Sequence, residues 1–424
     1  MTTSAQPDPT ALQIQKRNFR YVQIDAIGVG LASAAGPFLP VFLALLKATD
    51  LQVGLLTTMP GITGLFLALI VGRFLQTRRR IVPWFSAARL VVLSCYALTG
   101  LVPFFVPEKY LVTAILIIWA FATIPQTMVA IAFSVVMNAV AGPQGRYALM
   151  SRRWSTLGLT TAITVAVAGQ ILDRIVFPLN YQVVFLGLSV GGLISYYFSS
   201  HIVLPDTEPP AQLTGGLSKE SLKTYACLLR DEPAFVSFAL KRFVFLSGVS
   251  LAAPLFPLYF VKVVKASNSW IGFISTAQTA VMLIGYYIWT HQSRRRGSRF
   301  VLLCTTFGVS LYPALTALTT SEQVIALFAG MAGIFQAGLD LVFFDELMKT
   351  VPLQYSATFV SLAQSMQHLS TIASPMIGTF LAGYIGIGGA LLVSAGLRFT
   401  GFALFAYTRT RPLPKPVPDN NSTG

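Results

Sequence analysis

Apolar residues run along this chain in twelve long blocks, near 18–46, 51–76, 81–106, 110–140, 149–172, 181–204, 233–263, 269–291, 299–318, 322–348, 356–383 and 387–408, with short polar turns between them. An α-helix rising 1.5 Å per residue needs about 20 apolar residues to cross about 30 Å of hydrocarbon, and each block meets that length. Membrane strands would alternate polar and apolar positions over about ten residues, whereas these runs stay apolar for twice as long. The pattern therefore predicts an all-α membrane protein of twelve transmembrane helices, labelled α1 to α12 in chain order.

The pattern also repeats. Pro37-Phe38-Leu39-Pro40-Val41-Phe42-Leu43 leads to Lys47-Ala48-Thr49-Asp50 and then to Arg78-Arg79-Arg80. Some 217 residues later Pro254-Leu255-Phe256-Pro257-Leu258-Tyr259-Phe260 leads to Lys265-Ala266-Ser267-Asn268 and to Arg294-Arg295-Arg296. Ser94 with Tyr96 matches Ser310 with Tyr312, and Gln126 with Phe133 matches Gln336 with Phe343. Two tandem six-helix halves in one orientation are the plan of carriers that rock around a central site. The expected boundaries are a bundle over residues 1–204, a Pro- and Gly-containing linker over 205–232, and a second bundle over 233–424. The paired prolines, Pro37 with Pro40 and Pro254 with Pro257, are expected bend points, with passive packing the alternative.

Composition agrees: 54% of residues are hydrophobic and 11% charged, against about a quarter charged in soluble domains. Placing both termini inside puts 23 of the 30 Lys and Arg on the inner side, which predicts cytoplasmic termini and a plasma-membrane address. The net charge of +15 is spread over inner loops, so anionic lipid is the expected partner and nucleic acid is not. Cys95, Cys227 and Cys304 offer neither a disulfide framework nor metal spacing, and no cofactor or metal is expected. Neither Gly-x-Ser-x-Gly nor His-Glu-x-x-His occurs, so an enzyme is not expected.

Twelve helices as six plus six, a short inner linker, and a basic loop after α2 repeated after α8 together resemble the major facilitator superfamily (MFS). The family's Gly-x-x-x-Asp-Arg-x-Gly-Arg-Arg loop survives as Gly72, Arg73 and the Arg78-Arg79-Arg80 cluster, with Gln76 near the place of the Asp. The resemblance implies two pseudo-symmetric bundles in a V, a cavity lined by α1, α4, α7 and α10, and alternating access. The antiporter Gly-Pro pair is absent from residues 155–169, while Pro375-Met376-Ile377-Gly378 in α11 is a partial counterpart.

Ionisable groups in hydrocarbon cost about 2.5–3.5 kcal/mol unless paired or wetted, so they are the sharpest functional flags. Asp25, Arg242, Asp340 and Arg398 qualify, with Arg89 and His368 as lesser cases. The 217-residue offset carries Asp25 onto Arg242, and the two are expected to face each other across the inner mouth or else to pair locally. Asp340 lies one helical turn beyond Gln336 and either couples protons or forms a static pair with Arg398. Ser361, Gln364, Gln367, His368, Thr371 and Ser374 form one polar stripe on α11, read either as a cavity wall or as helix-to-helix bonding. Gln126 and Gln336 are symmetry mates suited to gripping a polar solute or to bonding neighbouring helices. Arg73, Arg78, Arg79 and Arg80, like Arg294, Arg295 and Arg296, read as topology signals or as gating groups, the second cluster opposite Asp345 and Glu346. The function these residues predict is secondary active transport of a small solute, proton-coupled through Asp340 or Asp25, by a monomer. The alternatives are a proton-antiport exporter of amphipathic compounds and a non-transporting or lipid-moving protein of the same fold.

Overall fold

The structure, a computed structural model, describes residues 9–48, 50–205, 230–266 and 268–407; most of the expected linker lies outside the described residues. Those residues are helical and contain no strand. Ten stretches are long and apolar enough to cross a membrane. Two of them, like the helical run Leu111–Arg174, are too long for one crossing. Leu111–Arg174 has 64 residues, about 96 Å if straight, against about 30 Å of hydrocarbon. The chain turns at Gly142, whose φ of 64° and ψ of 174° only glycine adopts readily. Gly297 (φ 80°) breaks Asn268–Ala317 and Gly386 (φ 76°) breaks Ser356–Tyr407 in the same manner.

Twelve spans result among the described residues. They are α1 (Pro9–Ser33 continued by Phe38–Leu45), α2 (Asp50–Gln76), α3 (Val82–Phe105), α4 (111–141), α5 (143–174), α6 (Leu179–Ser200), α7 (Pro233–Ala252 continued by Leu255–Tyr259), α8 (268–296), α9 (298–317), α10 (Glu322–Thr350), α11 (356–385) and α12 (387–407). They match the expected blocks to within several residues, except at the starts of α1 and α5.

The duplication extends to the backbone. α1 is interrupted over 34–37, immediately before Phe38, and α7 at Ala253 and Pro254. Proline lacks an N–H and crowds the preceding turn, which is why each helix yields there. Each segment then ends on a lysine in the left-handed region, Lys47 at φ 61° and Lys265 at φ 58°. Pro40 and Pro257 lie in the short helices that follow the breaks.

Within the first half α1 packs on α6 and α5, and α3 on α6. Within the second, α10 packs against the α8–α9 pair, and α7 against α11 and α12. Glycines set the closest approaches. A β-carbon on Gly28 would lie 2.6 Å from the carbonyl oxygen of Gly191, so α1 and α6 touch backbone to backbone.

Three apolar cores hold the molecule. One joins the halves, burying Leu75, Met137 and Met150 with Phe238, Trp289 and Phe359. The second belongs to the first half alone, around Leu39, Phe42, Trp119 and Phe185. The third belongs to the second half alone, around Leu255, Tyr259, Tyr312 and Ile325. The shared core lies toward the side that carries the arginine-rich turns, called the basic side below. Toward the opposite side each half keeps its own core. Gly191→Val would force branched carbons into the α1 backbone and is expected to destabilise the protein by about 1–3 kcal/mol, read as a lower melting temperature in detergent; an unchanged melting temperature would contradict this α1–α6 contact.

Candidate solute and coupling site

Asp25 is fully buried, but it does not face Arg242. Its carboxylate takes both oxygens to the Arg89 guanidinium at 2.6 Å, accepts a hydrogen bond from the Ser195 hydroxyl at 2.6 Å, and has Arg153 at 3.5 Å. The expectation of a pair across the mouth is therefore corrected. Pseudo-symmetry equates the depth of Asp25 and Arg242 but not their facing, and α1 turns Asp25 into the first half, where α3, α5 and α6 converge on it. Phe85 and Phe133 rings lie 4.0 and 4.5 Å from the Arg89 and Arg153 guanidinium carbons, adding cation–π contact where water is excluded.

Arg242 bonds elsewhere. Its Nη2 donates to the Gln367 Oε1 of α11 at 2.7 Å, and the Phe343 ring lies 5.9 Å from its guanidinium carbon. Among the described residues no carboxylate lies within 4.0 Å of it, and its Nε is buried without a hydrogen-bond partner.

Asp340 on α10 is half-buried and has neutral partners: the Gln336 amide at 2.8 Å and the Tyr286 hydroxyl at 3.2 Å. It is not paired with Arg398, whose Nη1 donates instead to the Val309 carbonyl at 3.1 Å between α12 and α9. The structure thus brings Gln336 and Asp340 together with Tyr286, which the sequence reading passed over. Gln126, the symmetry mate of Gln336, and Gln364 are half-buried.

The α11 stripe divides between two neighbours. Gln367 faces α7 through Arg242, and Ser370 approaches Ser250 of α7 at 3.5 Å. His368 packs against Gly64 and Ser361 against Gly72, both on α2, where only the missing side chain makes room. His368 is thus held in a helix-to-helix contact, one of the two readings its stripe allowed.

The halves are latched on the basic side. Arg146 at the start of α5 donates from Nε to Asn138 at 2.7 Å, and from its terminal nitrogens to the Asp345 carboxylate at 3.3 Å and the Met348 carbonyl at 3.4 Å. Lys349 completes the cluster, 2.6 Å from Asp345 and 2.9 Å from Glu346. The expected partners of Asp345 and Glu346 were Arg294, Arg295 and Arg296; the structure pairs them with Arg146, Lys349 and, for Glu346, the Ser298 hydroxyl. Those three arginines are exposed. In the first cluster Arg78 stacks on Phe74 and Trp84, Arg79 and Arg80 are exposed, and Arg73 is buried.

Gln76 forms a second latch. Its amide donates to the Gln354 carbonyl at 2.5 Å, and its oxygen accepts from the backbone N–H groups of Ala357 and Thr358 at 3.1 and 3.4 Å. Those N–H groups open α11 and have no partner within it, so the amide caps the helix where a carboxylate would otherwise meet its positive end. Among the described residues no group of three His, Cys, Asp or Glu side chains is placed to hold a metal ion.

Residues 238–424 match the family model of the Major Facilitator Superfamily. That match covers the second half of the chain; over the whole length the likeness is one of fold. Similar solved structures include a bacterial homologue of the iron transporter ferroportin in an outward-facing state, with 18% identity over 93% of this chain and 98% of that chain at a TM-score of 0.71. The human organic anion transporter MFSD10 (TETRAN) is 13% identical over 92% of this chain and 99% of that one, at 0.74. The E. coli fucose:proton symporter FucP is 13% identical over 92% and 98%, at 0.73. At these identities the likeness establishes the shared fold. Among curated proteins, no sequence matches the chain.

Of the buried carboxylates in this chain, Asp25 carries the most structure. Removing one partner of a buried ion pair typically costs about 3–5 kcal/mol, because the other charge is left bare. Asp25→Asn, which strands Arg89 and Arg153, is expected to lower stability by that amount. Asp340→Asn, which leaves neutral partners, is expected to cost under about 1.5 kcal/mol. Thermal melting of both variants in the same detergent checks the difference; equal losses would refute it.

Proposed function

We propose that the protein is a secondary carrier that moves a small solute by rocking its two six-helix halves about a central cleft. The observation that carries this reading is the one-sided closure: the halves share a core and polar latches toward the basic side and keep separate cores toward the other. Arg146 with Asp345 and Gln76 with the start of α11 are a few hydrogen bonds each, which can break and re-form without unfolding either bundle. With the bundles taken as residues 1–204 and 233–424, the positive-inside rule makes the basic side cytoplasmic, so the cleft faces out of the cell. The outward-facing ferroportin homologue supports the same assignment.

Asp340 is the proposed proton carrier. A carboxyl whose partners are neutral can accept a proton without stranding a cation, whereas Asp25 is committed to two guanidiniums. FucP and XylE, both named as proton symporters, support coupling within the fold. An inward proton yields about 2.3 kcal/mol per 100 mV, enough for about a fifty-fold solute gradient.

Two outcomes test the proposal. In proteoliposomes with an imposed pH gradient, Asp340→Asn is expected to abolish the dependence of solute accumulation on that gradient while leaving downhill exchange in place; accumulation that still follows the gradient would remove Asp340 from coupling. Arg146→Gln is expected to raise labelling of a cysteine placed at Met137 by membrane-impermeant maleimide added from the basic side, by about five-fold if the lost contact contributes about 1 kcal/mol; unchanged labelling would mean that Arg146 does not latch the mouth.

A further inference from the structure

Four guanidiniums, those of Arg89, Arg153, Arg242 and Arg398, lie deep in the helices and away from the latches, and they are treated very differently. Arg89 and Arg153 are matched by the Asp25 carboxylate. Arg398 is 3% exposed, wedged between α9 and α12 with its charge resting on a backbone carbonyl. Arg242 alone of the four is half-buried on α7, one of the helices that line the cavity in the MFS arrangement, and its one hydrogen-bonding partner is the neutral Gln367. With Gln367, Ala239, Phe243, Leu246 and Met366 it lines a void of about 10 Å³, room for about one water or one oxyanion oxygen.

We propose that Arg242 and Gln367 form the anion-recognition point of the carrier, and that the solute bears an oxyanion, a carboxylate on an organic body. The inference rests on the carrier reading above. A guanidinium offers a planar fork of N–H donors that matches two oxygens of one carboxylate. In Arg242 one nitrogen of that fork is engaged by Gln367 and the Nε has no acceptor, so an incoming carboxylate can take the free Nε–H together with a terminal N–H. The Gln367 amide accepts from Arg242 through its oxygen, which leaves its N–H₂ as a further donor toward the same anion. Phe343 backs the guanidinium on one side and limits its swing. The void takes only the oxyanion end, and its rim of Ala239, Phe243, Leu246 and Met366 is apolar, so an organic body extending from it meets apolar side chains that a fully hydrated inorganic ion would not match. An anion bound here also relieves the cost of an unpaired cation at this depth, so the empty site favours its ligand by charge as well as by shape.

The test uses the purified full chain in nanodiscs, with benzoate as the organic carboxylate, benzamide as its neutral counterpart and inorganic phosphate as the non-organic oxyanion. Benzoate is expected to raise the melting temperature in a saturable, salt-sensitive manner while benzamide does not. Arg242→Gln is expected to weaken the apparent benzoate affinity at least ten-fold, with Arg242→Lys intermediate because it keeps the charge but loses the fork. Gln367→Leu provides a second variant should Arg242→Gln fail to give monodisperse protein. Equal effects of benzoate and benzamide, no effect of benzoate, benzoate binding unchanged in Arg242→Gln or in Gln367→Leu, or phosphate binding in place of benzoate would each overturn the proposal. Flux measurements separate it from the broader reading. Uptake of a neutral solute that survives Arg242→Gln keeps the carrier and overturns the anion site. Arg242-dependent benzoate binding with no flux of any solute keeps the anion site and overturns the carrier.

Discussion

A charge in hydrocarbon must be matched, wetted or moved to the surface, and this chain answers that constraint differently in its two halves. In the first half one carboxylate, Asp25, is surrounded by Arg89, Arg153 and Ser195, drawn from three other helices. That cluster ties α1 to α3, α5 and α6 with directional bonds where apolar packing alone says little about register. Water-free surroundings strengthen each bond and raise the cost of losing one partner, which makes the first bundle a rigid body. In the second half, away from the basic-side latch, two mid-helix charges are left with neutral partners: Arg242 with Gln367, and Asp340 with Gln336 and Tyr286. Groups held this loosely can change partners, and a transport cycle needs such groups.

Rigidity within bundles and weakness between them follow from the same packing rules. Helices inside a half approach until backbones touch, as at Gly28 and Gly191, and bury large aromatic cores of their own. Between halves, α2 against α11 relies on glycines that receive His368 and Ser361, and the basic-side mouth is held by Arg146 and Gln76. A neutral glutamine at the latch caps the end of α11 without a full ion pair, so this contact owes little to salt and screening. Two stable bodies joined by reversible polar bonds and one shared core are what rocking requires.

Much of this was legible in the order of residues. Twelve apolar runs, the proline and lysine repeat at an offset of 217, and the arginine-rich turns pointed to the helix number, the duplication and the fold, because lipid leaves a spanning backbone few solutions. The glycines that end three long helical stretches were present in the sequence, though nothing local marked Gly142, Gly297 and Gly386 as turns among 33 glycines. Asp25, Asp340 and Arg242 were flagged by charge alone. Their pairings across helices were not, since Arg89 and Arg153 lie 64 and 128 positions from Asp25, and Tyr286 lies 54 from Asp340, at separations that no helical period links.

By itself, then, the amino-acid order determined that this is a duplicated bundle of membrane helices, its two sides told apart by arginine and lysine, because hydrophobic length and loop charge are properties of the chain read one segment at a time. Only the tertiary structure decided which way each charged helix face turns. Rotating a helix by a few tens of degrees leaves its apolar content unchanged but moves Asp25 from the mouth to the interior of its own bundle. That choice is made by the neighbours, whose guanidiniums, hydroxyls and glycines meet only after the whole bundle has closed.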